Sequence, residues 1–311
     1  MEEKQYIPFC FLILHYMNIE LTYKTVESVL NLDDFNDSQI IIVDNASPNG
    51  SGKALIEQYR KMKQIHIILS PENVGFSAGN NLGFWYIKQN FITDFVVVIN
   101  NDILFPQKEF LNKVRKLYLE APFWVAGPDI LQPHQNYHSS PTADEWRNAE
   151  DMKLLIEHSE KEKRNLKKIS MRGLKLYLKD CFPENIFIQS ILILKRSIQG
   201  QKKSYNKRGE DVVLQGSCLI FDKRYCEKNN DLFLPLTFMY AEEEILTWRC
   251  KNNNWKIRYF PEIQVWHMIH GSSQFPGLSY RQYCKKKISD IDRAEMAFKI
   301  YLDQIGKEDK V

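Results

Sequence analysis

The stretch Phe95-Val96-Val97-Val98-Ile99-Asn100-Asn101-Asp102 decides how this chain is read. Its apolar residues run without a break, so they predict a strand covered on both faces. The polarity then switches within one residue. The strand therefore ends on two carboxamides and a carboxylate. Similar apolar runs occupy 9–14, 40–43 and 65–69. Helical patterns separate them. Ile19, Thr22, Val26, Val29 and Leu30 share a helical face behind Asn18 as a cap. Ser51 is placed to cap a helix with Leu55, Tyr59 and Met62 on its apolar side. Ala78, Leu82, Trp85 and Tyr86 mark a third helix. Pro106 suits the first turn of a fourth, with Phe110, Leu111, Val114 and Tyr118. Strands alternating with helices predict an α/β fold, a parallel, doubly wound sheet with helices on both faces.

Ligands on such sheets sit outside the carboxyl ends of the strands. The segments at those ends are chemically consistent. They are His15-Tyr16-Met17-Asn18, Asp44-Asn45-Ala46-Ser47, 71–81 and Asn100-Asn101-Asp102. All are polar, short or glycine-rich, and the topology gathers them along one rim.

Composition narrows the class. Of 311 residues, 44% are hydrophobic and 26% charged, which excludes disorder as the main state. The net charge of +3 gives no case for nucleic acid. No apolar run reaches the roughly 20 residues of a membrane helix. The opening MEEKQY lacks the order of a secretory signal. The six cysteines form no C-x-x-C pair, which reads as reduced thiols in a cytoplasmic protein.

From about 133 to 210 the alternation stops and charge becomes dense. The chain is expected to divide into an α/β half (1–130), a charged helical insertion (131–211), a second half of the same domain (212–273) and a C-terminal helical tail (274–311). In 212–273, strands are expected at 255–260 and 263–267. In the tail, Ile288, Ile291, Phe298 and Tyr301 lie near one helical face.

Asp102 at a strand end is a hard-oxygen site suited to Mg²⁺ or Mn²⁺, which needs few protein carboxylates when a diphosphate supplies the rest. Asn-Asn-Asp alone also reads as a turn. Asp44 can accept an N–H from a pyrimidine base, or cap a turn. Asn73–Gly83 carries glycines at 75, 79 and 83 and runs into a helix start, where backbone N–H groups face anions. Glu242-Glu243-Glu244 opens a helix. Acids there favour the helix dipole, and crowded carboxylates raise the pKa of at least one, as a general base requires. His267 ends a strand and can serve as a metal ligand.

These segments, in this order, resemble family 2 glycosyltransferases with the GT-A fold, in the rhamnosyltransferase-like, polysaccharide-assembly branch. The matching stretches are Leu14-His15-Tyr16, Val43-Asp44-Asn45-Ala46-Ser47, Asn73 through Gly83, Ile99 through Asp102, Gly216 through Ile220, Phe238 through Glu243, and Val265-Trp266-His267 followed by Ser272. The resemblance spans roughly 7–130 and 212–273. It implies a mixed sheet and an inverting, metal-dependent transfer from a UDP- or dTDP-sugar to a glycan or lipid-linked oligosaccharide. Asp44 matches the acid that contacts the nucleotide base. Tyr16, Asn73, Gly75, Asn80, Asn81 and Asn101 would complete the donor site. Asn100-Asn101-Asp102 stands where the family has Asp-x-Asp, so only Asp102 remains as metal ligand, with His267 beside it. Tyr240-Ala241-Glu242-Glu243 matches Tyr-Gly-Glu-Asp. Glu243 is then the base, one methylene longer than the family's acid, with Glu242 able to substitute.

The basic residues of 161–179 and Lys285-Lys286-Lys287 read first as solvated helix faces and second as a peripheral contact with an anionic membrane. Two other functions fit less well. A sugar nucleotidyltransferase would carry a Gly-rich basic signature at the first strand, where His15-Tyr16-Met17-Asn18 stands. A catalytically silent nucleotide-sugar-binding or scaffold protein is the other reading left by the changes at Asn100 and Glu243.

Overall fold

The computed structural model describes residues 4–146, 148–168, 170–171, 173–174, 177–178, 204–239, 241–268 and 278–308. The chain divides into two compact units. One comprises Met1–Trp146, Lys202–Pro235 and Glu242–Ser272; the other comprises Arg147–Gln201, Leu236–Ala241 and Ser273–Val311.

The first unit is built on one mixed sheet. Its central strand β1 (Gln5–His15) pairs in parallel with β2 (Gln39–Asp44) on one side and β4 (Phe91–Asn100) on the other. The strand β3 (Ile65–Leu69) extends the β2 side, also parallel. Beyond β4, β9 (Cys218–Asp222) runs antiparallel, followed by β6 (Val125–Gln132) and β10 (Ile257–His267), which are parallel to each other. The two-residue β5 (Ile103–Leu104) pairs with the end of β10. Short strands β7 (Tyr137–His138) and β8 (Gly209–Glu210) pair with β6 and β10.

Helices cover both faces because β1, β2 and β4 are apolar on both. Against one face lie α1 (Ile19–Leu30), α2 (Ser51–Tyr59) and α4 (Phe110–Glu120), through Val26, Val29, Leu55, Phe110 and Val114. The other face takes α3 (Gly75–Asn90), α6 (Lys223–Lys228) and α7 (Glu242–Asn252), through Phe84, Ile87, Tyr225, Leu246 and Cys250.

Four local expectations differ from what forms. The strands expected at 255–260 and 263–267 are one strand with a register shift between Phe260 and Gln264. Pro261 lies in that shift and has no N–H to give the ladder, so the irregularity falls where a regular ladder would lose a bond. Gly50, not Ser51, caps α2, and the Ser51 hydroxyl goes elsewhere. Pro106 lies ahead of α4 rather than in its first turn. Of the residues that mark α3, Leu82 and Tyr86 pack against the core and Trp85 is exposed, while the fully buried side adds Ser77, Asn80, Phe84 and Ile87. Glycines explain that choice of face. A Cβ on Gly83 would lie 2.2 Å from Leu12 Cδ1 and 2.9 Å from Val43 Cγ2. The helix therefore presses its backbone onto β1 and β2, which a larger apolar face would prevent.

In the second unit, α5 (Ala149–Lys167) contacts α8 (Tyr280–Glu308). Leu166, Tyr283 and Ile291 form its apolar cluster, and Tyr301 is buried on α8 as expected. Buried Lys163 reaches Glu295 Oε2 at 2.7 Å and Asp292 Oδ1 at 2.9 Å. Burial alone would lower its pKa, but hydrogen bonds to Glu295, Asp292 and Glu160 outweigh that and hold it above its ordinary value. Truncating either side of such a pair strands a buried charge. Among the described residues, no helix is long and apolar enough to cross a membrane.

The packing of α3 gives a test of the fold. Helix propensity alone favours Gly83→Ala by about 1 kcal/mol. Overpacking against Leu12 and Val43 costs about 1–3 kcal/mol. We expect a net loss of stability in urea denaturation. A stabilised Gly83→Ala protein would contradict the close helix–sheet approach.

Candidate functional site

Strand register assembles the site. Asp44 ends β2 directly opposite His15 of β1, and Leu14 of β1 stands opposite Asn100 of β4. The Asn100 N–H donates to Ser217 O at 3.0 Å. Next to Ser217, the Gly216 N–H donates to Glu243 Oε1 at 3.0 Å. Past Asn100, the Met268 N–H donates to Asp102 O at 3.0 Å, and His267 pairs with Ile103. Asp44, Asp102, His267 and Glu243 thus occupy one rim of the first unit, although about two hundred positions separate the first from the last two.

The Asp44 carboxylate is almost fully buried and lies over the start of α2. A Cβ on Gly52 would fall 2.3 Å from Asp44 Oδ2 and 2.9 Å from Leu69 Cδ2. Only glycine admits the carboxylate there. Ser47 N–H approaches both Asp44 oxygens, at 3.4 and 3.3 Å. The loops after β1 and β2 are stapled together. Met17 N–H donates to Ser47 Oγ at 2.8 Å, and Asn49 Nδ2 donates to Met17 O at 2.8 Å. Met17 (φ 64) and Ala46 (φ 56) both adopt left-handed backbone, a cost that concentrates at functional loops.

Asn45 holds the third loop. Its Nδ2 donates to Gly75 O at 3.0 Å, and its Oδ1 accepts from Val74 N–H at 3.0 Å. Asn73 Oδ1 accepts from Gly75 N–H at 3.1 Å, and Gly75 sits at φ +83. Asn80 is buried, with Nδ2 donating to Phe76 O at 3.0 Å. Asn81 bonds the Phe233 backbone in both directions, at 2.7 and 3.1 Å. Tyr16 is half-buried, and its carbonyl accepts Asn18 N–H at 2.8 Å.

Asp102 Oδ1 lies 3.3 Å from His267 Nε2. No hydrogen bond reaches the buried Asp102 Oδ1 that faces Nε2; the other ring nitrogen, His267 Nδ1, is also buried without one. A carboxylate oxygen and an imidazole nitrogen facing each other at that separation suit a shared divalent cation. Among the described residues, no group of three or more His, Cys, Asp or Glu side chains is gathered to hold one. The pair therefore fits an ion that takes its remaining oxygens from a ligand, as Mg²⁺ commonly does.

Glu242 and Glu243 open α7. Ala241 at φ 62 makes the entry abrupt. Glu242 is buried and Glu243 is half-buried. The Glu243 carbonyl accepts the Thr247 hydroxyl at 2.7 Å. A Cβ on Gly216 would sit 2.8 Å from Glu243 Oε1, so glycine gives that carboxylate its seat. Tyr240 and Ser272, both part of the matching stretches, lie outside the described residues.

A family model described as "Glycosyl transferase family 2" matches residues 10–184, more than half of the chain. The chain belongs to glycosyl transferase family 2. A curated relative, the low-salt glycan biosynthesis hexosyltransferase Agl10 of Haloferax volcanii, is 28% identical over 115 residues. That match covers 36% of this chain and 36% of the relative's length. Solved structures give the fold. TarS 1–349 of S. aureus superposes with a TM-score of 0.51 at 12% identity, covering 94% of this chain and 72% of that one. GalNAc-T7 with UDP, GalNAc and Mn²⁺ gives 0.53 at 10% identity, covering 92% and 47%. A mannosyltransferase from Pyrobaculum calidifontis, in complex with GDP-Man and Mn²⁺, gives 0.51 at 11% identity, covering 94% and 69%. This family 2 chain therefore has the GT-A fold.

One buried group on the rim belongs to a matching stretch without having a role of its own there. His15 is fully buried, 3.8 Å from Asp44 Oδ1 by Nε2. Its Nδ1 meets Thr22 Oγ1 at 2.7 Å and its Nε2 meets Ser51 Oγ at 2.8 Å. Burial lowers its pKa from 6.5 to about 4, and Asp44 only partly opposes this. A depressed histidine pKa favours the folded state when neutral. Its stabilisation is complete above pH 6.5 and is lost as pH falls toward about 4. Wild type should therefore lose stability more steeply than His15→Gln over that window. Parallel slopes in pH-dependent chemical denaturation would contradict the buried neutral ring.

Proposed function

We propose that this family 2 chain is an inverting glycosyltransferase that moves a sugar from a UDP- or dTDP-linked donor to a hydroxyl of a surface glycan, free or lipid-linked. The observation that carries this is the common rim of Asp44, Asp102 and Glu243, with the Glu243 carboxylate tied to Gly216 beside the end of β4. On this reading, transfer takes place in the cytoplasm, at the inner membrane face when the acceptor is lipid-linked.

Each side chain has a task. Ionised Asp44 can only accept hydrogen bonds, which suits the imide N–H of uracil or thymine. The loop at Asn73–Gly75, clamped by Asn45, brings the start of α3 to the rim, and a helix start attracts phosphate. Asp102 and His267 would hold Mg²⁺ or Mn²⁺. That ion, when bound, supplies Lewis-acid stabilisation of the leaving diphosphate. The acceptor oxygen attacks the anomeric carbon from the side opposite the diphosphate. The new C–O bond forms as the bond to the diphosphate breaks, and its electron pair leaves with the phosphate oxygen. Glu243 takes the acceptor's proton. In-line displacement inverts the anomeric centre.

Removing the base should lower transfer by about 10²–10⁴. We expect Glu243→Gln to show that loss in kcat with donor affinity within a few-fold of wild type. A near wild-type rate would take Glu243 out of the base role. For Asp102→Ala, Mn²⁺ should no longer strengthen UDP binding in titration calorimetry. Retained Mn²⁺ enhancement would place the ion elsewhere.

A further inference from the structure

Neither a metal nor a sugar needs His15, yet its ring is bonded at both nitrogens by groups that reach the donor residues. Thr22 Oγ1 meets three partners: His15 Nδ1 at 2.7 Å, Asn101 Nδ2 at 3.1 Å and Asn18 O at 3.1 Å. An amide nitrogen only donates, so Thr22 accepts from Asn101 and has a single proton of its own to give. At the other end of the ring, Nε2 faces Ser51 Oγ and the Asp44 carboxylate. A bare nitrogen lone pair 3.8 Å from a carboxylate is repelled, and an N–H is attracted. The proton therefore sits on Nε2, where Ser51 Oγ accepts it at 2.8 Å. Thr22 gives its own proton to Nδ1 at 2.7 Å rather than to Asn18 O at 3.1 Å, because Asn18 O also accepts from Asn101 Nδ2 at 3.2 Å. The bond at one ring nitrogen fixes what the other does. All dipoles then point one way, from Asn101 through Thr22 and His15 to Ser51, on the edge of the ring that faces Asp44 at 3.8 Å, and such chains reinforce one another.

We propose that His15 is a positioning residue that holds the Asp44 carboxylate in its base-reading orientation by presenting an Nε2–H, with Thr22 fixing that tautomer. The proposal rests on the donor-site reading of Asp44. The ring does not touch the reacting atoms and no proton leaves it during turnover. It supplies a fixed positive dipole under a carboxylate that Gly52 and Ser47 otherwise only surround. Sequence spacing carries no trace of this, because Thr22 and Ser51 lie on different helices, α1 and α2.

Titration calorimetry of UDP with Mn²⁺ tests it, with pyrophosphate and Mn²⁺ as the control that has no base. Asp44→Asn should weaken UDP and spare pyrophosphate. His15→Gln should weaken UDP about tenfold, the scale on which supporting residues act on a first ligand, and spare pyrophosphate within about twofold of wild type. In an Asp44→Asn background, His15→Gln should add almost nothing. Thr22→Val should weaken UDP severalfold and Thr22→Ser should restore it. This pair serves if His15→Gln fails to fold. A weakened Asp44→Asn beside an unaffected Thr22→Val and His15→Gln overturns the proposal and leaves the donor site intact. Losses at His15 and Asp44 that simply multiply also overturn it. An unaffected Asp44→Asn overturns both.

Discussion

The apolar saturation of the central strands is the constraint on which everything else in the molecule depends. Residues 9–13 of β1, 40–43 of β2 and 96–99 of β4 are fully buried and apolar on both faces. These three stretches have no room for polar side chains. Beyond them, the polar groups of β1, β2 and β4 emerge where these strands stop, and parallel strands stop on the same side. Asp44, His15 and Asn100 are neighbours because β1, β2 and β4 end in register. The chemistry is concentrated by the packing rather than by any local sequence pattern.

That concentration has a cost, which the loops carry. Left-handed backbone at Met17, Ala46 and Ala241 turns the chain sharply just where it leaves or enters the rim. Side chains that might have faced solvent instead clamp backbone. Asn45 grips Gly75 and Val74, Asn81 grips Phe233, and Ser47 grips Met17. The carboxylates are seated in the same frame, Glu243 on the Gly216 N–H and Asp44 on the Ser47 N–H. Preorganisation of this kind is what an enzyme needs to stabilise charge without moving its own dipoles.

The strands and the rim were legible because they are local. A continuous apolar run ending on Asn-Asn-Asp can be seen in eight residues. The inward face of α3 was legible only in part: Leu82 and Tyr86 pack on the core, but the closest approach is at glycines, which add no apolar signal and act by letting another element approach. The merged β10 was obscured by Pro261, which punctuates a sequence more strongly than it punctuates this strand. The seat of Glu243 at Gly216, the bond from Asn81 to Phe233 and the bridge from Thr22 through His15 to Ser51 join residues far apart in the chain or on separate helices. No periodicity records such contacts. Gly52 and Gly216 matter for what their missing Cβ would strike, which becomes visible only when the carboxylates have positions.

One family of contacts therefore performs two jobs. The same hydrogen bonds that satisfy buried polar groups at the strand ends also fix them along one rim. Buried polar networks are costly when incomplete; this one is completed mainly by backbone and hydroxyl groups, and the buried side-chain atoms without a hydrogen bond include Ser77 Oγ, Asn80 Oδ1 and Asp102 Oδ1. Of these, Asp102 Oδ1 faces His267 Nε2 at 3.3 Å, the separation that suits a shared divalent cation.

The most direct measurement is the anomalous difference map of crystals grown with UDP and Mn²⁺. A peak between Asp102 and His267, with the uracil against Asp44 and the diphosphate between them, is the predicted result. Nucleotide bound with its base away from Asp44, or manganese bound to other side chains, would contradict a donor site at the ends of β2 and β4.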